Sequence, residues 1–220
     1  MRLLLIRHGR MRGDPFCEPE SPVAGCLSEE GVAQAEALRA ALAATPIDKA
    51  FASPYGRAVE TAERTLAGRG IPLARVPGLQ EWTPSPAYRG ATRTEAEALE
   101  ARDRDRWAEE TWKTELGEGT FDVYARAVPA LLAALAAEGW HMRMGGWVPD
   151  PGTEEKTFAV FAHGGSLGVL LSFLLGVRPF PIAPFSFAQT GVAELAFPER
   201  HGVRFPALVI NAPSCGMLSV

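Results

Sequence analysis

What this 220-residue sequence lacks excludes several classes of protein. It has only three cysteines, none in a CxxC pair, which indicates reduced thiols rather than a disulfide framework. Its longest uncharged apolar run, residues 167–177, is far short of the roughly 20 residues that cross a membrane. Basic residues number 22 against 26 acidic ones, which argues against a general nucleic-acid or anionic-membrane binder.

Targeting signals and metal-ligand motifs are also missing. Residues 1–6 are apolar but too short for the core of a signal peptide, and Arg7 follows at once. No HExxH or comparable ligand spacing occurs. We therefore expect a soluble, cytoplasmic protein that needs no metal or other cofactor. Its expected partner is a small molecule rather than a nucleic acid or a membrane, and its oligomeric state is left open.

The overall composition is that of a globular protein, with 47% apolar and 22% charged residues. A chain of this length favours a single domain over residues 1–220. Residues 81–120 carry ten acidic and six basic residues, whereas residues 140–156 are rich in glycine, proline and tryptophan and are predicted to form a long surface loop. We predict cap or lid insertions at 81–120 and 139–156. The five tryptophans between residues 82 and 147 either pack these segments onto the sheet or cover a pocket.

Hydrophobic patterning predicts alternating strands and helices. Predicted strands span residues 2–7, 47–53, 72–76, 157–162, 192–197 and 207–211. Helices are predicted after a Ser28 cap, after Ser53-Pro54, from a Thr92–Glu95 capping box to about residue 115, and over 121–137 and 166–175. This order indicates an α/β fold, a three-layer sandwich around a mostly parallel six-stranded sheet with a helical cap insertion.

Two histidines follow buried strands in this pattern. Arg7, His8 and Gly9 end the first predicted strand, and His163 and Gly164 end the fourth. Open α/β sheets bind ligands at the carboxyl ends of their strands, so these side chains are expected to meet there.

Two further residues suit phosphate chemistry. Arg57 lies in the first turn of a predicted helix, where it opposes the helix dipole but can add a guanidinium fork to an anion site. Glu81 follows another strand and is available for proton transfer. Arg57 and Arg7, together with the two histidines, form a constellation that suits a dianionic phosphoryl group.

These motifs resemble the histidine phosphatase family, which also contains the cofactor-dependent phosphoglycerate mutases. The resemblance runs from residue 2 to about residue 175. It implies that His8 is the nucleophile, that Glu81 is the general acid and base, and that Arg7, Arg57 and His163 hold the phosphoryl oxygens, with Gly164 beside them. It thus implies a phosphatase that hydrolyses a small phosphomonoester through a phosphohistidine on His8, with His8, Glu81 and His163 as its catalytic residues.

The sequence departs from the family pattern in the loop after His8. Arg10 stands where many members have an acidic residue, and the asparagine that usually follows a few positions later is missing. Arg10 or Arg12 could supply charge in its place, or both could be solvated. This region and the stretch after Glu81 leave the substrate open.

Three alternatives remain at this point. A phosphoglycerate mutase-type enzyme would share the whole site and return the phosphoryl group to the substrate. A serine hydrolase is suggested by Gly164-Gly165-Ser166-Leu167-Gly168, although an acid and a histidine must then follow Ser166, where only Glu194, Glu199 and His201 are available. A binder of phosphorylated ligands would need no proton donor such as Glu81.

Overall fold

The computed structural model describes residues 1–13, 25–86, 92, 94–95, 97–98, 101, 117–143, 145–180 and 183–209. Helices are α1 (Glu29–Ala41), α2 (Gly56–Leu66), α3 (Thr120–Ala136) and α4 (Gly164–Leu175). Strands are β1 (Arg2–Arg7), β2 (Lys49–Ala52), β3 (Leu73–Arg75), β4 (Trp140–Arg143), β5 (Gly146–Pro149), β6 (Thr157–Ala162), β7 (Val192–Ala196), β8 (Glu199–Arg200), β9 (Val203–Arg204) and β10 (Ala207–Leu208).

The six predicted strands form one sheet in the order β10-β7-β1-β6-β2-β3. The four strands β1, β6, β2 and β3 run parallel, whereas β7 is antiparallel to both β1 and β10. This confirms the predicted α/β fold with a mostly parallel six-stranded sheet. No helix in the described parts of the chain is both long and apolar enough to cross a membrane.

Alternation along β1 builds the two cores. Leu3 and Leu5 face a cluster with α3 and α4, whereas Leu4 and Ile6 face a cluster with α1 and α2. Successive side chains of a strand point to opposite faces, so a continuous apolar run buries both faces of a central strand. The sheet is therefore covered by helices on both sides, as a three-layer sandwich requires.

The prediction of a long surface loop over residues 140–156 is wrong. Strands β4 and β5 form a hairpin there, which joins β9 and β8 in a second sheet of four strands. Trp140 and Trp147 are fully buried, and Trp140 packs on Phe158 at the start of β6 and on Phe197 after β7. The hairpin thus covers the amino ends of β1 and β6, opposite to the end where His8 and His163 lie.

The helix after Ser53-Pro54 begins later than predicted, because Tyr55 is its amino-terminal cap and Gly56 its first residue.

The predicted capping box is present, with Thr92 and Glu95 bonded in both directions at 2.7 and 3.3 Å. Most of the predicted cap helix up to residue 115, including Trp107 and Trp112, lies outside the described residues, so the cap insertion stays a prediction.

A close approach of two backbones joins α1 to the loop after His8. A methyl group on Gly31 would lie 1.9 Å from the carbonyl oxygen of Arg10, and one on Gly9 would lie 2.8 Å from the carbonyl oxygen of Gly31. Only glycine fits at both positions, because a β-carbon would need the backbone to move.

We therefore expect Gly31→Ala to destabilise the protein, although alanine favours a helix over glycine by about 1 kcal/mol. The clash should reverse that gain and give a net loss of roughly 1–3 kcal/mol in the free energy of unfolding, measured by urea denaturation. Ala33→Gly, at an exposed position of the same helix, reports the propensity alone. A Gly31→Ala variant more stable than the parent would contradict this expectation.

Candidate active site

The register of the two central strands brings the histidines together. Arg7 pairs with Ala162 across β1 and β6, and the His8 N–H donates to the Ala162 carbonyl at 3.0 Å. The rings of His8 and His163 lie 5.0 Å apart between centroids. The predicted meeting of the two strand ends is therefore what the structure has.

One nitrogen of the His8 ring is bonded to the backbone and the other to Arg57. Its Nδ1 lies 2.7 Å from the carbonyl oxygen of its neighbour Gly9, which can only accept, so Nδ1 carries the proton. Its Nε2 lies 3.2 Å from Nε of Arg57 and accepts that N–H. A neutral imidazole with its Nε2 lone pair free of a proton is the form that can act as a nucleophile.

The Arg57 Nε–H is shared between two imidazoles. It lies 3.1 Å from Nδ1 of His163 as well as 3.2 Å from Nε2 of His8. Because Nδ1 of His163 accepts, its Nε2 carries the proton and donates to Oγ of Ser53 at 2.8 Å. All four side chains are buried.

Burial and cationic neighbours keep both rings neutral. Burial first, then the Arg57 guanidinium, lowers the pKa of His8 to about 3. The same two causes, in the same order, lower the pKa of His163 well below its ordinary value. Burial also lowers the pKa of Arg7 and of Arg57, and the nearby Glu81 opposes that effect in both.

Arg7 reaches the site from the last position of β1. Its Nη1 donates to the carbonyl of Phe187, while its buried Nε has no hydrogen-bond partner. A methyl group on Gly164, the first residue of α4, would lie 3.4 Å from Cζ of Arg7. A buried guanidinium N–H without a partner is costly, and a bound anion would satisfy it.

Glu81 lies at the amino terminus of α4. Its carboxylate accepts from the N–H groups of Gly165 at 3.0 Å, Ser166 at 3.2 Å and Trp82 at 2.9 Å. Backbone N–H groups at a helix amino terminus stabilise negative charge, which accounts for this position. The structure thus brings together Arg7, His8, Arg57, Glu81, His163 and Gly164, all of which the sequence singled out.

The two loop arginines are exposed, unlike the buried histidines and Arg57. Arg10 forms an exposed ion pair with Glu30 of α1 at 2.9 Å, and that carboxylate balances its charge. Arg12 is exposed as well. That either one takes the place of the missing asparagine stays a prediction.

The serine suggested as an alternative nucleophile is engaged elsewhere. Ser166 is fully buried, and its Oγ bonds the backbone N–H and carbonyl of His163, at 3.3 and 3.4 Å. These contacts are those of a residue that closes the start of α4. His201 lies in the exposed turn between β8 and β9.

Sequence reasoning missed two supporting residues on α2. Thr61 accepts the Gly9 N–H at 3.0 Å and donates to the Arg57 carbonyl at 2.6 Å. Glu60 accepts from the N–H groups of Cys26 and Leu27 at 2.9 and 3.0 Å. Both stand three or four positions after Arg57, on the same helix face, and that spacing was the available signal.

Ser53 and Cys26 are both buried and both have side-chain partners. Ser53, expected only to cap α2, is the partner of His163. Burial, with a hydrogen bond to Glu60, raises the pKa of the Cys26 thiol to about 12, so this thiol is not a nucleophile near neutral pH.

No three His, Cys, Asp or Glu side chains in the described segments could hold a metal ion.

The His8 pKa gives a direct prediction for the free protein. With a pKa of about 3, the ring should stay neutral between pH 5 and pH 8, protonated on Nδ1. Nitrogen NMR of histidine-labelled protein, with the His8 signal assigned by its loss in His8→Gln, should show no titration in that range. A midpoint near 6.5 would show that burial and Arg57 do not control the ring.

Comparison with known proteins agrees with the geometry. The family model of the histidine phosphatase superfamily (branch 1) matches residues 3–205. The adenosylcobalamin/alpha-ribazole phosphatase of Salmonella typhimurium is 29% identical over 191 residues, which cover 80% of each protein.

Solved structures show the same fold. A mycobacterial glucosyl-3-phosphoglycerate phosphatase in complex with VO3 aligns with a TM-score of 0.72 and 26% identity, over 95% of this chain and 97% of that one. The alpha-ribazole phosphatase from Shigella flexneri aligns with a TM-score of 0.70 and 20% identity, over 97% and 100%, which shows a shared fold alone. The predicted enzyme class, a phosphoric monoester hydrolase, is confirmed, and the chain belongs to the histidine phosphatase superfamily, branch 1.

Proposed function

We propose that the protein hydrolyses small phosphomonoesters through a phosphohistidine formed on Nε2 of His8. The observation that carries this proposal is the sharing of one buried Arg57 N–H between Nε2 of His8 and Nδ1 of His163. That arrangement leaves a neutral imidazole lone pair beside a buried guanidinium, the pairing that attack on an anionic phosphoryl group needs.

The first step is an in-line displacement at phosphorus. Nε2 of His8 donates its lone pair to phosphorus, and the bond from phosphorus to the leaving oxygen breaks. The Nδ1–H bond to Gly9 holds the ring in the required tautomer and stabilises the positive charge that develops on it. Glu81, protonated for this step, gives its proton to the leaving oxygen.

The phosphoryl oxygens need a cradle of positive charge and N–H donors. Arg57 would turn its N–H from the two imidazoles to a phosphoryl oxygen, and the unpartnered Nε–H of Arg7 would bind another. His163 and the start of α4 at Gly164 lie on the same side. Guanidinium groups and helix amino termini stabilise the charge on equatorial oxygens during phosphoryl transfer.

The second step releases phosphate. Water attacks phosphorus, Glu81 as carboxylate takes the proton from that water, and the bond between phosphorus and Nε2 breaks. His8 and Glu81 return to their starting protonation states, so the cycle balances without a metal or other cofactor.

The substrate is proposed only as a small phosphomonoester. Relatives are named for alpha-ribazole phosphate and for glucosyl-3-phosphoglycerate, which differ in the organic group they carry. A panel containing both compounds and simple alkyl and aryl phosphates would rank them by kcat/KM. Assaying phosphoglycerate isomerisation beside free phosphate separates hydrolysis from the mutase alternative.

Replacement of the nucleophile is the principal test. His8→Ala should abolish phosphate release from 4-nitrophenyl phosphate and prevent acid-labile, base-stable labelling by a radioactive phosphomonoester. Ser166→Ala is the matched control, and it should still be labelled. Labelling that survives in His8→Ala, or esterase activity that depends on Ser166 and not on His8, would contradict the proposal.

The role of Glu81 predicts a dependence on the leaving group. Glu81→Gln should lower kcat/KM for an alkyl phosphate by about 10²–10⁴-fold, because an alkoxide needs a proton to leave. The value for 4-nitrophenyl phosphate should fall less than about tenfold, because nitrophenolate leaves without one. Equal losses for the two substrates would show that Glu81 is not the proton donor.

A further inference from the structure

Arg126 of α3 holds the segment that carries Glu81, and no motif pointed to it. All five guanidinium N–H groups have acceptors, which is the full capacity of this side chain. Nε and Nη2 donate to the carboxylate of Glu118 at 2.8 and 2.7 Å. The three other N–H groups donate to the carbonyls of Gly78, Gln80 and Glu81, each at 2.8 Å.

Glu118 completes the clamp on the far side of Glu81. Its carboxylate accepts the Thr83 N–H at 2.8 Å, and its carbonyl accepts from the Trp82 indole N–H. The Arg126–Glu118 pair therefore binds the backbone or side chain of residues before, at and after Glu81. The pair is largely buried, with 23% and 18% of the two side chains exposed, so both partners have lost most of their water.

The clamped segment depends on these contacts because it belongs to no strand or helix. It joins β3 to the start of the predicted cap, and Gly78 lies directly on α3, where a methyl group would be 2.6 Å from Cβ of Ala130. Carbonyls held by one rigid fork cannot move independently of α3.

The contacts also show how Arg126 would act on Glu81. Its Nη2 binds the Glu81 backbone carbonyl, whereas the Glu81 carboxylate faces Gly165 and Ser166 at the start of α4. Arg126 does not take part in the proton transfer itself. Its effect passes through the position of the main chain.

We propose that Arg126, locked by Glu118, is the positioning residue that sets Glu81 at the distance and angle needed for proton transfer to the leaving group. This rests on the proposed role of Glu81. A general acid misplaced by about 1 Å can lose 10²-fold in rate, so the fork geometry, and not only the positive charge, should matter.

The test uses leaving-group dependence with the full chain. Arg126→Lys keeps the charge but not the fork, and Glu118→Gln is a milder change that weakens the same clamp. For both variants we expect kcat/KM to fall at least about tenfold for an alkyl phosphate such as ethyl phosphate, and less than about threefold for 4-nitrophenyl phosphate. Arg2→Lys is the matched control, because its ion pair with Glu194 lies at the other end of β1, and it should leave both values unchanged.

Each outcome either supports or overturns the proposal for Arg126. Selective loss on the alkyl phosphate in either clamp variant supports positioning, and thermal melting of the same samples shows that they are folded. Equal loss on both substrates means a general structural role and overturns the proposal, as does no loss on either. If Glu81→Gln loses the same activity on both substrates, the proposed role of Glu81 fails, and the proposal for Arg126 fails with it. If Glu81→Gln loses activity mainly on the alkyl phosphate but the two clamp variants do not, only the proposal for Arg126 is overturned.

Discussion

A single buried guanidinium shared by two imidazoles is the interaction on which this site depends. A buried cation is tolerated only among groups that accept its hydrogen bonds, and Nε2 of His8 and Nδ1 of His163 do so only when unprotonated. Arg57 therefore fixes the protonation state of His8 as well as the position of its ring.

The elements around Arg57 are built to keep that interaction in place. Its helix is anchored through Thr61 to the backbone of Gly9 and through Glu60 to the loop at Cys26 and Leu27. Burial tends to raise the pKa of Glu60. The Leu27 N–H and the Arg64 guanidinium outweigh that effect and hold the pKa below its usual value. On the other face of the sheet, α3 and α4 hold Glu81 between Arg126 and the amino terminus of α4. His8 and Glu81 are thus supported from opposite layers of the sandwich.

Sequence reasoning succeeded where one local rule decided the structure. The apolar runs of β1 and β6 predict central strands because only a strand covered on both faces can bury such a run. It failed at residues 140–156, where glycine, proline and tryptophan fit a loop as well as a hairpin. Burial of Trp140 against Phe158 favours the hairpin, and that contact joins residues 18 positions apart. It also placed the start of α2 too early, because the helix begins at Gly56 and Ser53 Oγ binds both His163 and the Tyr55 N–H ahead of it.

The sequence by itself determined the layered α/β fold and predicted six residues that the structure places together, since hydrophobic period and strand-end position are local properties. Tertiary structure decided which nitrogen of His163 carries the proton and which group faces Nε2 of His8, because Ser53 and Arg57 lie far from both histidines in sequence. It also decided that Arg126 and Glu118 clamp the main chain around Glu81, since those contacts join residues more than thirty positions apart. Hydrogen bonds across such separations follow from packing and leave no periodic trace in the sequence.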